Sequence, residues 1–282
     1  MALSPAAINA RLITAGLPTF PRTVSKLTHL ITVVEAPAHV VASVIATDPA
    51  ITALIIGQAN AAGHVTNQLN EAIRRIGMGV VLTTAQQAIP VDDTQRKAVA
   101  TCWAQANAVA VMMPILYDYR SYHLKNKLDN ETLHIAGLIH DLGHVLAITH
   151  FTAEYARACV RQQHGEKNFD HLITTEIGSS PRDISTLVAK SWAMPKLLAA
   201  AMINWRDPAS AGEFGELSAL LNITHSLVKA AGFIAAGDRY VDQLDEWSLS
   251  ALNLRLPDFE IVLGKMFDSM DELELYEGAL GG

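Results

Sequence analysis

The chain has 282 residues, of which 50% are hydrophobic and 17% are charged, and its formal net charge is −7. This composition supports a sizeable buried core, in one large domain or in two lobes that share an interface, and it excludes general disorder. The acidic balance argues against tight binding along a nucleic-acid backbone, which requires clustered lysine and arginine, so we expect no strong nucleic-acid binding.

The two cysteines and the absence of long apolar runs indicate the compartment. Cys102 and Cys159 lie far apart in apolar stretches with a helical pattern. Because a secreted protein would more often use a disulfide framework, we interpret them as buried thiols in a reducing cytoplasm. The N-terminal segment lacks the basic start and apolar run of a signal peptide. No run of about 18 apolar residues occurs either, so we expect a cytoplasmic protein without a membrane span.

Apolar residues recur at helical spacing almost throughout the chain, and sustained alternation with a period of two is missing. The sequence therefore predicts an all-α fold. Asp48 is the expected N-cap of one helix, with Pro49 at its first position. The helices expected in the first third of the chain are one entered through Pro21, and others over Pro49–Ala62, Asn70–Ile76 and Val80–Ala88.

The polar segment Val91–Lys97 interrupts the helical pattern, and we expect a lobe boundary there. The predicted lobes are an N-terminal helical lobe over residues 1–92 and a second helical lobe over residues 93–282. A long helix from about Thr94 to Tyr119, which Pro114 could kink, opens the second lobe. The most apolar stretch, Glu131–Thr149, is expected as one central buried helix. Later helices are expected over about 151–164, 182–191, 195–204, 215–232 and 257–275.

The strongest chemical feature is the adjacent pair His140 and Asp141 within this apolar stretch. Such a pair is costly to bury without partners, and both side chains can ligate a divalent metal. Adjacent helical residues diverge by about 100°, so a closed metal site would need ligands from other helices. His144, one turn later, could add a third ligand. The alternative is a hydrogen-bonded pair that organises a junction of buried helices.

Other catalytic motifs are missing from the sequence. It contains no glycine-rich phosphate loop, no GxGxxG dinucleotide fingerprint and no GxSxG nucleophile elbow. A thiol nucleophile would need an exposed cysteine in electropositive surroundings, and neither cysteine has such a context.

Several short motifs occur along the chain in a characteristic order. They are Leu17-Pro18-Thr19-Phe20-Pro21, Asp48-Pro49-Ala50 with Leu54 and Ala59-Asn60-Ala61, Asn70-Glu71-Ala72-Ile73 with Ile76-Gly77, Trp103, His140-Asp141-Leu142-Gly143, and Trp192-Ala193-Met194-Pro195. Together, over roughly residues 17 to 232, they resemble the HDOD family, a non-catalytic relative of the HD metal-dependent phosphohydrolases. The resemblance implies an N-terminal helical bundle packed on an HD-like helical bundle, and a bacterial signalling or regulatory module.

The same resemblance implies that the active site of an HD phosphohydrolase is degenerate here. A working enzyme of that kind resembles the pattern H…HD…D around a metal that supplies a bound hydroxide. The positions that depart from this pattern, or from histidines common in HDOD sequences, are Gln105, Pro181, Asn204 and His225. We therefore expect a remnant HD site at His140 and Asp141, with no catalytic residue and no metal or other cofactor. Its candidate neighbours are Gln105, His144, Asn204 and His225.

The predicted function is that of a stand-alone regulatory module that binds a signalling protein or a small ligand. One alternative is a metal-dependent phosphohydrolase of the HD superfamily, acting on a nucleotide or cyclic dinucleotide with a divalent metal at His140 and Asp141. Another is small-ligand sensing, in which a nucleotide or an anion occupies the vacated cleft. The sequence leaves the partner, the upstream signal and the oligomeric state open.

Overall fold

In a computed structural model, the described residues are 5–14, 16, 18–120, 122–166, 168–241 and 243–269. Leu17, the first residue of the first motif, and the end of the last predicted helix beyond residue 269 lie outside them. The fold is all-α, as predicted, with one pair of very short strands among the described residues.

The helices of the first third begin and end close to the positions that local signals predict. The helix at Pro49 begins as expected, whereas two helices before it, over Pro5–Thr14 and Ala38–Ile45, were not predicted. The helices of this part are α1 (Pro5–Thr14), α2 (Pro21–Thr32), α3 (Ala38–Ile45), α4 (Pro49–Ala61), α5 (Leu69–Ile76) and α6 (Met78–Gln86).

Asp48 connects the start of α4 to the preceding segment. Its fully buried carboxylate accepts a hydrogen bond from the backbone N–H of Ile51 at 2.9 Å, which confirms it as the N-cap. The hydroxyl of Thr19 donates a second, short hydrogen bond to the same carboxylate. Burial raises the pKa of Asp48 to about 7, against the opposing effect of the Thr19 hydrogen bond. The cap therefore also fixes the first strand residues to α4.

The strands β1 (Pro18–Thr19) and β2 (Ile89–Pro90) pair in parallel, with Pro18 opposite Ile89. They were not predicted, because two residues are too few to show a period of two. This pairing holds the segment before α2 next to the segment after α6. Backbone hydrogen bonds thus connect the two ends of the helical group from α2 to α6.

The remaining helices begin with one long element that crosses the core. The later elements are close to their predicted ranges, and two short helices were not predicted. The helices of this part are α7 (Arg96–Arg120), α8 (Asn130–Ile139), α9 (Leu142–His150), α10 (Thr152–Gln163), α11 (Phe169–Ile177), α12 (Pro181–Ser191), α13 (Lys196–Asn204), α14 (Gly215–Ala230), α15 (Glu246–Ala251) and α16 (Leu256–Asp268), with a 3₁₀ segment over Pro208–Phe214.

The prediction of one continuous helix over Glu131–Thr149 is wrong. α8 ends at Ile139 and α9 starts at Leu142, and the backbone of Asp141 leaves the helical region with φ −111° and ψ 25°. The sequence pattern does not mark this break, because buried apolar residues continue on both sides of it. The break turns the neighbouring side chains of His140 and Asp141 towards different helices.

The buried hydrophobic residues form one cluster that runs from α1 to α16. Across the predicted lobe boundary, Phe20 packs edge to face against Trp103 of α7, with ring centroids 4.8 Å apart. The lobe boundary at residues 92 and 93 stays a prediction. α7 is long and apolar enough to cross a membrane, but 67% of its most apolar window is buried inside the protein, as in a core helix.

Three helical glycines allow close approach between helices. A Cβ atom on Gly57 would lie 2.3 Å from the carbonyl oxygen of Trp192, and one on Gly137 would lie 2.7 Å from the Cα of Ala110. A Cβ atom on Gly143 would lie 2.2 Å from the carbonyl oxygen of Pro181. Because backbone atoms cannot move aside cheaply, these contacts require glycine.

The close contact at Gly143 predicts a large cost for a small substitution. Gly143→Ala forces α9 and α12 apart, and we expect a loss of about 1–3 kcal/mol in the free energy of unfolding. Gly264→Ala is the matched control, because its Cβ would meet nothing within 4 Å on α16. That control should be neutral or stabilising by about 0.5–1 kcal/mol. Urea unfolding measures both, and equal effects of the two substitutions would contradict the packing argument.

Candidate functional site

The break between α8 and α9 places His140 and Asp141 in two separate polar networks. His140 is fully buried and contacts His225 of α14. Asp141 points instead towards His144 and Arg206. Two residues that are adjacent in sequence therefore do not act as one pair of ligands.

His140 and His225, here called the histidine pair, have ring nitrogens joined by a defined set of hydrogen bonds. His140 Nδ1 lies 2.6 Å from the carbonyl oxygen of Gly137, which only accepts, so Nδ1 carries the proton. In the neutral ring, Nε2 is then an acceptor, and it lies 3.0 Å from Nδ1 of His225. His225 Nδ1 must therefore donate, which leaves a lone pair on His225 Nε2.

Both rings of the histidine pair are held neutral. Burial lowers the pKa of His140 to about 4, although the nearby carboxylate of Asp141 opposes this effect. Burial and the adjacent His140 hold the pKa of His225 well below its usual range. Trp205 packs against both rings, with centroids 4.8 Å from His140 and 4.3 Å from His225.

Asp141, His144, Asp170 and Arg206, here called the Arg206 cluster, form the second network. Asp141 Oδ1 lies 2.8 Å from His144 Nδ1 and 3.0 Å from Arg206 Nη1. Arg206 Nε lies 2.6 Å from Asp170 Oδ2, and Arg206 Nη2 lies 3.2 Å from His144 Nδ1. His144 Nε2 also lies 3.3 Å from Asp170 Oδ1. The guanidinium thus connects both carboxylates.

The charges of the Arg206 cluster balance one another. Burial alone would raise the pKa of Asp141, but His144 and Arg206 hold it well below its usual range. Burial likewise opposes the charge on His144, but the Asp141 carboxylate raises the pKa of His144 to about 9. At neutral pH the cluster therefore contains two carboxylates and two cations, with no net charge left for a metal ion to neutralise.

Aromatic rings and one unusual turn hold the cluster in place. The guanidinium of Arg206 stacks on the ring of Trp205 at 3.7 Å, and His144 lies parallel to Phe169 at 5.9 Å. Asn168 adopts a left-handed conformation with φ 58° and caps α11 through its side chain. This cap places Asp170 in the first turn of α11, beside Arg206.

The structure brings only some of the predicted neighbours to the remnant site. His144 joins Asp141, and His225 joins His140. The side-chain amide of Gln105 instead donates to the carbonyl of Phe233 at 2.8 Å, and that of Asn204 donates to Ser210 at 2.9 Å.

Pro181 starts α12 and contacts α9 through its backbone, near Gly143.

Asp170 and Arg206 were not predicted as site residues, because no spacing in the sequence connects them to Asp141. The nearest clue was a charged residue, Arg206, directly after Trp205.

The residues of this site do not fit a divalent metal. The guanidinium of Arg206 lies between the carboxylates of Asp141 and Asp170, where a cation would bind. Nε2 of His140 is used by His225. Within the described parts of the chain, no group of three or more His, Cys, Asp or Glu side chains has a metal-binding arrangement.

The cysteines do not provide a nucleophile. Cys102 is buried and Cys159 is half-buried, which corrects the expectation of two fully buried thiols, and both are free. Burial raises the pKa of both thiols, that of Cys159 to about 11. Neither is a thiolate at neutral pH, so nucleophilic catalysis by cysteine is disfavoured.

A cavity of about 370 Å³ opens beside both networks. Arg206 and Asp170 line it from the Arg206 cluster, and His225 lines it from the histidine pair. The remnant site therefore borders a space large enough for a small molecule.

The HDOD domain family model matches residues 17–208 of the chain. Among solved structures, the chain is similar to the MmoQ response regulator of Methylococcus capsulatus, with 19% identity and a TM-score of 0.65, covering 88% of this chain and 98% of that one. It is also similar to an HDOD domain protein of unknown function from Geobacter sulfurreducens, with 16% identity and a TM-score of 0.57, covering 97% of each chain.

A third similar structure is a protein from Shewanella amazonensis named as a candidate phosphohydrolase. It has 19% identity and a TM-score of 0.53, and the match covers 98% of each chain. No curated protein matches the chain. At these identities the solved structures establish the fold alone.

The Arg206 cluster predicts a large cost for removing its central cation. Arg206→Leu leaves Asp141 and Asp170 with His144 as their one remaining cation in the cluster, and we expect a loss of about 2–4 kcal/mol in unfolding free energy at pH 7. Arg182→Leu is the matched control, because Arg182 pairs with Asp207 on the surface. That control should cost at most about 1 kcal/mol. Urea unfolding compares them, and a similar cost for both would show that the cluster contributes little.

The raised pKa of His144 predicts a pH dependence of stability. Because its pKa is about 9 in the folded protein and near 6.5 in a free side chain, the stabilising charge is fully present below pH 6.5. It is lost as the pH rises through 9. The difference in unfolding free energy between the unchanged protein and His144→Gln should therefore shrink between pH 6.5 and 9.5. A difference that stays constant over this range would contradict a protonated His144.

Proposed function

The chain belongs to the HDOD domain family, and from this membership we propose that it is a bacterial signalling or regulatory module that acts by binding a protein or a small ligand. In this proposal it does not hydrolyse phosphoesters. The observation that supports this proposal most directly is that the guanidinium of Arg206 lies between Asp141 and Asp170.

The position of Arg206 favours binding over metal-dependent hydrolysis for a chemical reason. A hydrolytic metal needs carboxylate and imidazole lone pairs that are free to coordinate it, and it then lowers the pKa of a bound water. Here Asp141 accepts from two cations, and His140 accepts from His225. A metal ion would have to displace a half-buried guanidinium before any water could be activated.

The similarity in fold to a structure named as a response regulator is consistent with a signalling role. Contacts between the N-terminal and C-terminal helices provide a route by which binding could act. His134 of α8 lies 3.0 Å from the carbonyl oxygen of Ala46 at the end of α3, and Gly57 of α4 packs on Trp192. In our proposal, a partner or ligand shifts the relative population of two arrangements of these helices.

We also propose the cytoplasm as the compartment. The free cysteines and the burial of most of the apolar window of α7 support this placement. The net charge of −7 favours protein or small-molecule partners over nucleic acid.

A hydrolysis assay tests the proposal against the phosphohydrolase alternative. The purified chain is incubated with Mn²⁺ and either bis(p-nitrophenyl) phosphate or cyclic di-GMP, and product is followed over time. We expect no metal-dependent turnover, because Arg206 occupies the cation position. Metal-dependent turnover that disappears in Asp141→Asn would overturn the proposal and establish the alternative.

Binding is tested separately. Candidate signalling proteins identified by pull-down are purified and titrated against the intact chain by calorimetry. The proposal expects saturable binding for at least one of them or for a small ligand. If none binds saturably and the pure chain hydrolyses phosphoesters, the regulatory assignment is wrong.

A further inference from the structure

The cavity beside the remnant site is lined by a histidine whose second ring nitrogen makes no hydrogen bond to the described residues. His225 is 3% exposed and lines the cavity. Its Nδ1 donates to His140, so its Nε2 is a hydrogen-bond acceptor. Among the described residues, none makes a hydrogen bond to this Nε2. An acceptor that opens on a cavity is most simply satisfied by a donor from a ligand or from water.

A second acceptor lies one turn earlier on α14. Asn222 also lines the cavity, and its Oδ1 is buried without a hydrogen-bond partner. Residues three positions apart share one face of a helix, so Asn222 and His225 present their acceptors to the same space. A ligand with at least two hydrogen-bond donors would therefore satisfy both acceptors on the wall that α14 forms.

The charges around the cavity favour a cation. Three carboxylates, those of Asp170, Asp238 and Asp245, line it, against one basic side chain, that of Arg206. Asp238 is paired with the buried ammonium of Lys229 at 2.7 Å. The carboxylate of Asp245, by contrast, accepts hydrogen bonds from the backbone and hydroxyl of Ser248, which are neutral. Its negative charge is thus available to a ligand.

An anion would find few free donors in this space. Two nitrogens of the Arg206 guanidinium, Nη1 and Nε, already donate to Asp141 and Asp170, and Nη2 lies beside the cationic ring of His144. Lys229 is 1% exposed and lies behind Asp238. The cavity therefore differs from a phosphate site, which offers backbone N–H groups or uncommitted basic side chains.

We propose that this cavity binds a small organic cation with several N–H donors, an amine or a guanidine, which donates to His225 Nε2 and Asn222 Oδ1. The aromatic residues Phe169 and Trp205 line the same cavity. The inference rests on the proposed function in one respect, namely that the site binds a ligand without hydrolysing it.

Agmatine, which has an ammonium group at one end and a guanidinium at the other, is the probe. Calorimetric titration and thermal unfolding of the full chain are expected to show saturable binding and a rise in Tm. Choline, a cation without N–H donors, and AMP, an anion, should bind at least tenfold more weakly. The proposal is overturned if agmatine fails to bind at millimolar concentration, or if choline or AMP binds equally well.

Two substitutions locate the ligand. Asp245→Asn keeps the N-cap of α15, because asparagine caps as well as aspartate, but removes the free negative charge. We expect about fivefold weaker agmatine binding. Asp129→Asn makes the same change at the N-cap of α8, which does not line the cavity, and should leave binding unchanged. Asn222→Leu should weaken binding about tenfold. Equal effects at Asp245 and Asp129 would place the ligand elsewhere.

Nitrogen NMR of the histidine rings provides a readout that does not depend on these variants. In the free protein, His140 and His225 should both carry their proton on Nδ1. Agmatine should shift the resonance of His225 Nε2, and no shift at saturation would contradict the proposed contact. Failure of agmatine to bind would exclude organic cations as ligands of this cavity, but it would not contradict the regulatory proposal. The regulatory proposal itself fails through metal-dependent turnover in the hydrolysis assay.

Discussion

The contact of one guanidinium with two carboxylates underlies the organisation of the whole site. Arg206 bridges Asp141 and Asp170, and His144 adds a second cation to the same group. Buried carboxylates are costly without such partners, and the break between α8 and α9 directs Asp141 towards these neighbours. A cation supplied by the chain itself thus stabilises the aspartate of the histidine–aspartate motif.

The break between the two helices also explains why adjacent residues have different roles. Asp141 belongs to a charged cluster, whereas His140 belongs to a neutral chain of hydrogen bonds that starts at the carbonyl of Gly137. That chain ends at an unsatisfied nitrogen of His225 beside the cavity. One network balances charge, and the other sets the tautomer of a residue that a ligand can reach.

Family membership and site chemistry support different statements about this protein. Membership in the HDOD family establishes the helical fold, and a fold hosts many functions. The assignment of a binding role depends instead on particular atoms, above all on where the guanidinium of Arg206 lies.

Local chemistry was enough to predict the all-α class and the start of α4, because Asp48 and Pro49 act within one turn of the backbone. It was also enough to single out His140 and Asp141 as costly residues in an apolar stretch. It did not reveal the break between α8 and α9, since apolar burial on both sides conceals it from any periodic pattern. Nor did it reveal Arg206 as the partner of Asp141. Those two residues are 65 positions apart, and their contact exists only because α13, which ends just before Arg206, packs on α8, which ends just before Asp141.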